Sequence, residues 1–279
     1  RGQNVVLGQP DLIAECIESM PDVRWVQSTW AGVTPLLELP HTNFVLTGVK
    51  GIFGPQMAEY VFGHLLSLTQ KVFQHRASQN KLEWTAMASE ALRGRCMGIM
   101  GTGSIGASIA RSARAFGMHV IGLNRRGAAV DGFDEIYPIS ALSEFLPKAD
   151  FLVAVLPDTP ETTNLLNEQT FKKMKPQAVL VNVGRGKLVT EDALVAALQS
   201  GQLQGAGLDV TWTEPLPPES QLWGEPGVLI TPHVGAQSAI RYDLVVNLLI
   251  ENLDRFVQGK RLKNLVDKSL GFALPRDRT

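Results

Sequence analysis

Glycines stand at the first, third and sixth positions of the segment Gly101-Thr-Gly103-Ser104-Ile105-Gly106. Glycine-rich turns are common, so the pattern alone is a weak signal. Here it follows the apolar run Cys96-Met-Gly-Ile-Met100 and opens a helix expected over 104–116, the strand–turn–helix setting that dinucleotide binding requires. Gly101 permits the tight turn, Gly103 lets the backbone approach a pyrophosphate, and Gly106 lets the helix pack closely on the sheet. The helix N-terminus at Ser104 and Ile105 offers free N–H groups and partial positive charge to the anion. A plain strand-to-helix turn is the alternative that this context disfavours.

About 20 residues further on, an acid is expected to meet the ribose 2′-hydroxyl. The next apolar run instead ends Leu123-Asn124-Arg125-Arg126. A carboxylate there would repel a 2′-phosphate, whereas guanidinium groups pair with one through charge-assisted hydrogen bonds. The residues therefore predict NADP in preference to NAD, with a solvated arginine turn as the alternative. Two more side chains of chemical interest follow apolar runs. Arg185, flanked by Gly184 and Gly186, comes after Ala178-Val-Leu-Val181, and His233 comes after Val228-Leu-Ile230 and Pro232. Taken singly, a turn arginine or a turn histidine is more often an ordinary surface residue.

The elements that must position these groups are legible as alternation. Short strands are expected at Val5-Val-Leu7, Trp25-Val-Gln-Ser28 and Asn43-Phe-Val-Leu46, with helical spacing over 12–20. A long amphipathic helix should start near Pro55, a residue suited to the first helical turn, and run past Phe73. From Arg95 onward, apolar runs at His119-Val-Ile-Gly-Leu123, Phe151-Leu-Val-Ala-Val-Leu156, Ala178-Val-Leu-Val181, Gly205-Ala-Gly-Leu208 and Val228-Leu-Ile230 alternate with helical or turn-rich segments. Strands apolar on both faces and alternating with helices mean a parallel sheet covered on both sides, a doubly wound α/β domain. A last helix is expected over 236–258, with an apolar stripe of Leu244, Leu248, Leu249, Leu253 and Phe256 and a frayed tail from Pro275.

Bulk properties narrow the function classes. The 279 residues suit two compact domains. No run of about 18 apolar residues occurs that could span a bilayer. Lys and Arg total 26 against 27 acidic residues, a formal net charge of -1, which gives no electrostatic reason to expect nucleic acid or an anionic membrane as partner. Cys16 and Cys96 lack metal-ligand spacing. They are expected to be buried free thiols in a reducing compartment, the cytoplasm or an organellar matrix.

Five motifs in one order carry a resemblance: Gly101-Thr-Gly-Ser-Ile-Gly106, Leu156-Pro157, Val181-Asn-Val183-Gly-Arg-Gly186, Leu208-Asp-Val210 with Glu214-Pro215, and Thr231-Pro-His-Val-Gly235. In order and spacing the chain resembles the D-2-hydroxyacid dehydrogenases over nearly its whole length. It is most similar to the glyoxylate/hydroxypyruvate reductase branch, through Met57-Ala-Glu-Tyr60 and Asn124-Arg125. The resemblance implies a Rossmann cofactor domain at 56–239 inserted in a smaller, discontinuous flavodoxin-like substrate domain at 1–55 and 240–279. It also implies a site in the cleft between them, and a chain that lacks about 40 residues of the family's usual beginning, leaving an incomplete sheet with an open edge strand.

The resemblance gives the single residues their roles. Reducing a 2-keto acid needs a cation for the carboxylate, a proton donor for the carbonyl oxygen and a hydride. Arg185 would supply the cation and His233 the proton, near its ordinary pKa at neutral pH. Glu214 would bond the far imidazole nitrogen and favour imidazolium. Asp209 and the Gly235 backbone would contact the nicotinamide carboxamide, with an Asp that merely caps a turn as the alternative, and Leu156, Pro157 and Val183 would line the cofactor. Backbone N–H groups at Ala31 and Gly32 would hold the substrate carboxylate, beside a Trp30 that either shapes the pocket or packs. His41, His64, His75 and His119 read as structural or solvated. A homodimer is implied through the Pro55 helix and the loop after it, with Trp84 in the segment that reaches a partner's site in related reductases. The rivals are a dinucleotide-sensing corepressor of the same fold, phosphoglycerate dehydrogenase and, further off, formate dehydrogenase.

Overall fold

The computed structural model describes residues 4–40, 43–269 and 271–273, so His41 and the tail from Pro275 lie outside it. The chain divides into two compact units, residues 53–237 and residues 1–52 with 238–279.

The strands that matter are, in chain order, β1 (Val5–Gly8), β2 (Trp25–Ser28), β3 (Val45–Thr47), β4 (Cys96–Met100), β5 (His119–Asn124), β6 (Glu135–Pro138), β7 (Phe151–Ala154), β8 (Ala178–Asn182), β9 (Leu203–Leu208) and β10 (Val228–Ile230). The larger unit holds a seven-stranded sheet in the order β10-β9-β8-β7-β4-β5-β6, and every neighbouring pair is parallel. Every residue of β7 and β8 is buried, as a parallel strand covered on both faces must be. Phe145, Phe151, Phe171, Leu180 and Leu188 close the core around them. From β4 the chain winds outward through β5 and β6, then returns to β7 on the other side of β4. This reversal creates a crevice at the carboxyl ends of β4 and β7, where doubly wound sheets take their ligands.

The expected long helix is two. Gly54–Thr69 is followed by Val72–Asn80, and Lys71 between them sits in the left-handed region at φ 54°, which an uninterrupted helix cannot contain. The first piece buries Met57, Val61, Phe62 and Leu65, while the second buries nothing. The edge strand β6 was not anticipated, because its half-buried residues carry no apolar run. Cys16 and Cys96 are free but only half-buried, and burial pushes the Cys96 thiol up to about 11.

The smaller unit has the three-stranded parallel sheet β1-β2-β3. Its last helix, Arg241–Val257, buries Val245, Leu248 and Asn252, whereas Leu253 of the expected stripe is exposed. A buried amide replaces a leucine on that face. Asn252 donates to Gln27 Oε1 at 3.0 Å and accepts from Lys263 N–H at 2.7 Å. Trp25 Nε1 donates to Thr47 Oγ1 at 2.8 Å, so this unit's core carries a satisfied polar network as well as apolar packing.

Candidate active site

Because the large sheet is wholly parallel, its strands end on one edge, and the predicted residues fall along that edge in sheet order. His233 follows β10, Asp209 and Glu214 follow β9, Arg185 follows β8, Leu156 and Pro157 follow β7, the glycine turn follows β4, and Asn124 ends β5.

The glycine turn is built from backbone. Gly101 has φ +109°, and a Cβ there would lie 2.9 Å from the Val155 carbonyl oxygen; a Cβ at Gly106 would lie 2.0 Å from the Gly101 carbonyl oxygen. Both positions exclude a side chain. Around Gly103, by contrast, the space is open. The helix Ser104–Ala115 starts there, and its first bond runs from Ala107 N–H to the Gly103 carbonyl at 2.8 Å. The preceding N–H groups of the first turn are left for an outside acceptor. A bare glycine cradle at a helix start fits the pyrophosphate of a dinucleotide.

Asn124 is spent on holding its own turn. Its Oδ1 accepts the N–H groups of Arg126 at 3.1 Å and Ala128 at 3.2 Å, and its Nδ2 donates to Thr102 Oγ1 at 3.1 Å and the Ala128 carbonyl at 2.8 Å. The turn leaves Arg125 and Arg126 exposed, and among the described residues neither guanidinium lies in an ion pair. Leu156 is half-buried, Pro157 exposed and Val183 buried.

On the β8–β10 side the site is made of side chains. His233 Nδ1 lies 2.7 Å from Glu214 Oε2, and Glu214 Oε1 accepts from Thr211 N–H at 3.2 Å. The bond to Glu214 raises the His233 pKa above its ordinary value against the opposing effect of burial. Burial pushes the Glu214 carboxyl up, but His233, the Thr211 N–H and Arg185 together hold it below its ordinary value. Burial also draws Arg185 downward, opposed by the carboxylates of Asp158 and Glu214. Both shifts favour the imidazolium form of His233 and the carboxylate form of Glu214.

Asn182 fixes the Arg185 loop, accepting Gly184 N–H at 3.1 Å and donating to the Arg185 carbonyl at 3.0 Å. Arg185 Nη1 donates to the Gly184 carbonyl at 2.7 Å. A Cβ on Gly186 would lie 1.7 Å from the Thr211 carbonyl oxygen, so the Arg185 loop and the Glu214 loop are in backbone contact.

Asp209, buried at 3% exposure, gathers the His233 turn. Its Oδ1 accepts from Val234 N–H at 2.8 Å, Tyr60 Oη at 2.8 Å and Thr231 Oγ1 at 2.9 Å, and its Oδ2 accepts from Gly235 N–H at 2.9 Å. The Asp209 carbonyl accepts His233 N–H at 2.9 Å. His233 itself has φ 53°, a left-handed conformation that costs a non-glycine residue about 1–2 kcal/mol and that these bonds hold. The Gly235 N–H is therefore engaged within the turn. Tyr60 and Thr231 also touch each other, and burial raises the Tyr60 pKa. His64 packs edge-on against Tyr60 at 4.7 Å between ring centroids. Burial lowers its pKa, and among the described residues its Nδ1 has no hydrogen-bond partner. Sequence reasoning missed Tyr60 and Thr231 as parts of the site. Each stood inside a quoted motif, yet no local spacing ties a helix residue to a turn 171 positions away.

In the smaller unit, Ala31 is exposed and Gly32 half-buried, in the loop after β2. Ser28 Oγ accepts Trp30 N–H at 2.9 Å and shapes that loop.

The glycine cradle at a sheet reversal defines a doubly wound dinucleotide-binding protein with polar chemistry at its strand ends. Residues 62–235 match the sequence profile of the D-isomer specific 2-hydroxyacid dehydrogenase NAD-binding domain. The chain is 41% identical to a D-isomer specific 2-hydroxyacid dehydrogenase family protein from Aeromonas salmonicida, with a TM-score of 0.90 over 95% of this chain and 85% of that one. It is 34% identical to an NADPH-dependent glyoxylate/hydroxypyruvate reductase from Sinorhizobium meliloti solved with NADP and sulfate (TM-score 0.86; 97% of this chain and 87% of that one). It is 35% identical to a phosphoglycerate dehydrogenase from Lactobacillus plantarum (TM-score 0.67; 95% of this chain and 87% of that one). The chain belongs to the D-isomer specific 2-hydroxyacid dehydrogenase family, NAD(P)-dependent oxidoreductases acting on CH–OH donors.

Proposed function

We propose that this protein reduces a small 2-keto acid of the glyoxylate or hydroxypyruvate kind to its 2-hydroxy acid, with NADPH preferred and NADH accepted. The reading rests on one observation: the His233–Glu214 pair at 2.7 Å stands with Arg185 on the sheet edge that also carries the glycine cradle. In this reading the guanidinium of Arg185 binds the substrate carboxylate and polarises the keto oxygen. His233, protonated and held by Glu214, gives its Nε2 proton to that oxygen as a new C–H bond forms at the keto carbon. A bound reduced nicotinamide supplies the hydride for that bond.

Gly101, Gly103, Ser104, Ile105 and Gly106 would hold the pyrophosphate, with Leu156, Pro157 and Val183 along the cofactor. Asp209 Oδ2 accepts one bond in the turn and keeps a lone pair for the carboxamide. The exposed pair Arg125 and Arg126 supports NADPH, as does the likeness to the Sinorhizobium reductase, which was solved with NADP. Backbone groups at Ala31 and Gly32 are proposed contacts of the substrate carboxylate. The protein is proposed to be a cytoplasmic homodimer, since the helix Val72–Asn80 buries no residue and Leu82 and Trp84 after it are fully exposed. Among the described residues no helix is long and apolar enough to cross a membrane.

The test is turnover of glyoxylate, hydroxypyruvate and phosphohydroxypyruvate with each nicotinamide, on the protein and on His233→Ala. The expected result is reduction of the unphosphorylated acids, cut at least about 100-fold in kcat by the substitution, the scale of a general acid. Near-normal turnover in the variant would remove His233 from the reaction, and dinucleotide binding without turnover of any keto acid would favour a sensor.

A further inference from the structure

The bonds around Asp209 single out a device that the reaction itself does not require. Three consecutive main-chain N–H groups, of His233, Val234 and Gly235, end on this one residue, the first on its carbonyl and the others on its carboxylate. The left-handed backbone at His233 is thereby set from Asp209, and so is the direction in which the imidazole leaves the chain toward Glu214. The carboxylate is itself held. Tyr60, from the helix Gly54–Thr69, and Thr231, at the start of the turn, both place hydroxyls on Oδ1 and touch each other. Among the described residues neither hydroxyl bonds Glu214 or Arg185.

We propose that Tyr60 and Thr231 are positioning residues that act through Asp209: their paired hydroxyls lock its carboxylate, the carboxylate locks the turn 231–235, and the turn aims His233 at Glu214. The proposal rests on the reading of His233 as the proton donor, but its geometric half stands apart from it. A buried carboxylate must fill its lone pairs from nearby donors. Without the two hydroxyls the carboxylate keeps only the Val234 N–H on Oδ1 and the Gly235 N–H on Oδ2, so it is held from the turn alone and no longer ties that turn to the helix Gly54–Thr69. Simple packing would predict otherwise, because a phenyl ring at position 60 keeps the aromatic contact with His64.

The decisive variants are Tyr60→Phe, Thr231→Val and Thr231→Ser, read by kcat, by the dinucleotide Kd and by the proton NMR signal of the His233 Nδ1–H bonded to Glu214. We expect Tyr60→Phe and Thr231→Val each to lower kcat about 10-fold, within the range a misaimed catalytic group loses. The Kd should stay within about twofold, and the Nδ1–H signal should weaken or move. Their double variant should lose less than the product of the two, as members of one network do, and Thr231→Ser should recover most of the valine loss. An unchanged Nδ1–H signal in a folded Tyr60→Phe protein overturns the proposal. A Kd weakened as much as kcat is lowered overturns it too, because the two hydroxyls would then be acting through the carboxamide contact proposed for Asp209 Oδ2 rather than through the aim of His233. If His233→Ala leaves turnover intact, the reaction assigned above fails, while the NMR signal of Tyr60→Phe still decides whether His233 is aimed from Asp209.

Discussion

The turn after β4 and the turn after β10 lie on the same edge of one parallel sheet, with β7, β8 and β9 between them, yet they are made by opposite means. The first is almost pure backbone: Gly101 and Gly106 exclude any Cβ, Gly103 leaves open space, and the helix dipole supplies the charge. The second borrows its shape from side chains. One carboxylate from β9, a phenol from a helix far back in the chain and a threonine hydroxyl hold a histidine in a conformation it would otherwise avoid. A diphosphate asks only for many N–H groups at close range, which bare backbone provides. A proton donor must keep one side chain at one angle beside one partner, and that takes fixed side chains around it.

Substitutions at the glycines should break the first turn in two distinguishable ways. Gly106→Ala places a methyl 2.0 Å from a carbonyl oxygen that cannot yield. The expected cost is about 3 kcal/mol, the upper range of overpacking, or roughly 10 °C in Tm for a unit of this size, with dinucleotide binding lost. Gly103→Ala meets nothing and has a φ of -73° that alanine adopts freely. Its Tm should stay unchanged while the dinucleotide Kd rises at least about 10-fold, if that open space is where the pyrophosphate lies. Thermal unfolding and fluorescence titration of both variants check this. Normal binding by Gly103→Ala would take the anion away from the turn.

The same contrast explains what could be read without coordinates. The glycine turn and the parallel strands that carry it were legible, because steric need writes glycine at fixed intervals and burial on both faces writes apolar runs, whereas the order of those strands in the sheet was not read and the role given to Arg185 came from the family resemblance. The pairing of Glu214 with His233 came from the family resemblance. The Tyr60–Asp209–Thr231 cluster was not legible, because its members meet only through the fold, with Tyr60 and Asp209 149 positions apart in the chain. The break at Lys71 and the polar core at Asn252 escaped for a related reason. A lysine can adopt a left-handed conformation without announcing it, and an amide on an apolar helix face declares itself only when Gln27 and Lys263 are found beside it.

Glu214→Gln sharpens the side-chain half of the comparison. His233 titrates above its ordinary 6.5 chiefly because Glu214 bonds its Nδ1. The protonated form, the proton donor of the proposed reaction, is present below that raised pKa and is lost as pH rises through it, so on that proposal kcat/KM for reduction should fall on the alkaline side with a midpoint above 6.5. Glutamine keeps a hydrogen-bond acceptor but removes the charge. The alkaline limb should move to lower pH, and kcat at neutral pH should drop at least about 10-fold, part of what a general acid contributes. A pH profile that does not move would mean that Glu214 orients the ring without setting its charge.

The smallest expected effect concerns the exposed arginines, which neither kind of turn holds rigidly. Asn124 fixes the backbone beneath them through four hydrogen bonds, so the double substitution Arg125→Ala with Arg126→Ala should leave Tm untouched. It should lower kcat/KM for NADPH about 10-fold, near the value of one charge-assisted hydrogen bond at an exposed site, and leave NADH within about twofold. Because the pairing is solvent-exposed, the NADPH advantage of the unsubstituted protein should shrink as ionic strength rises and the Debye length falls below about 10 Å. An advantage for NADPH that survives both the substitution and high salt would place the 2′-phosphate against some other group. The arginines would then be only the solvated end of a turn whose geometry Asn124 already determines.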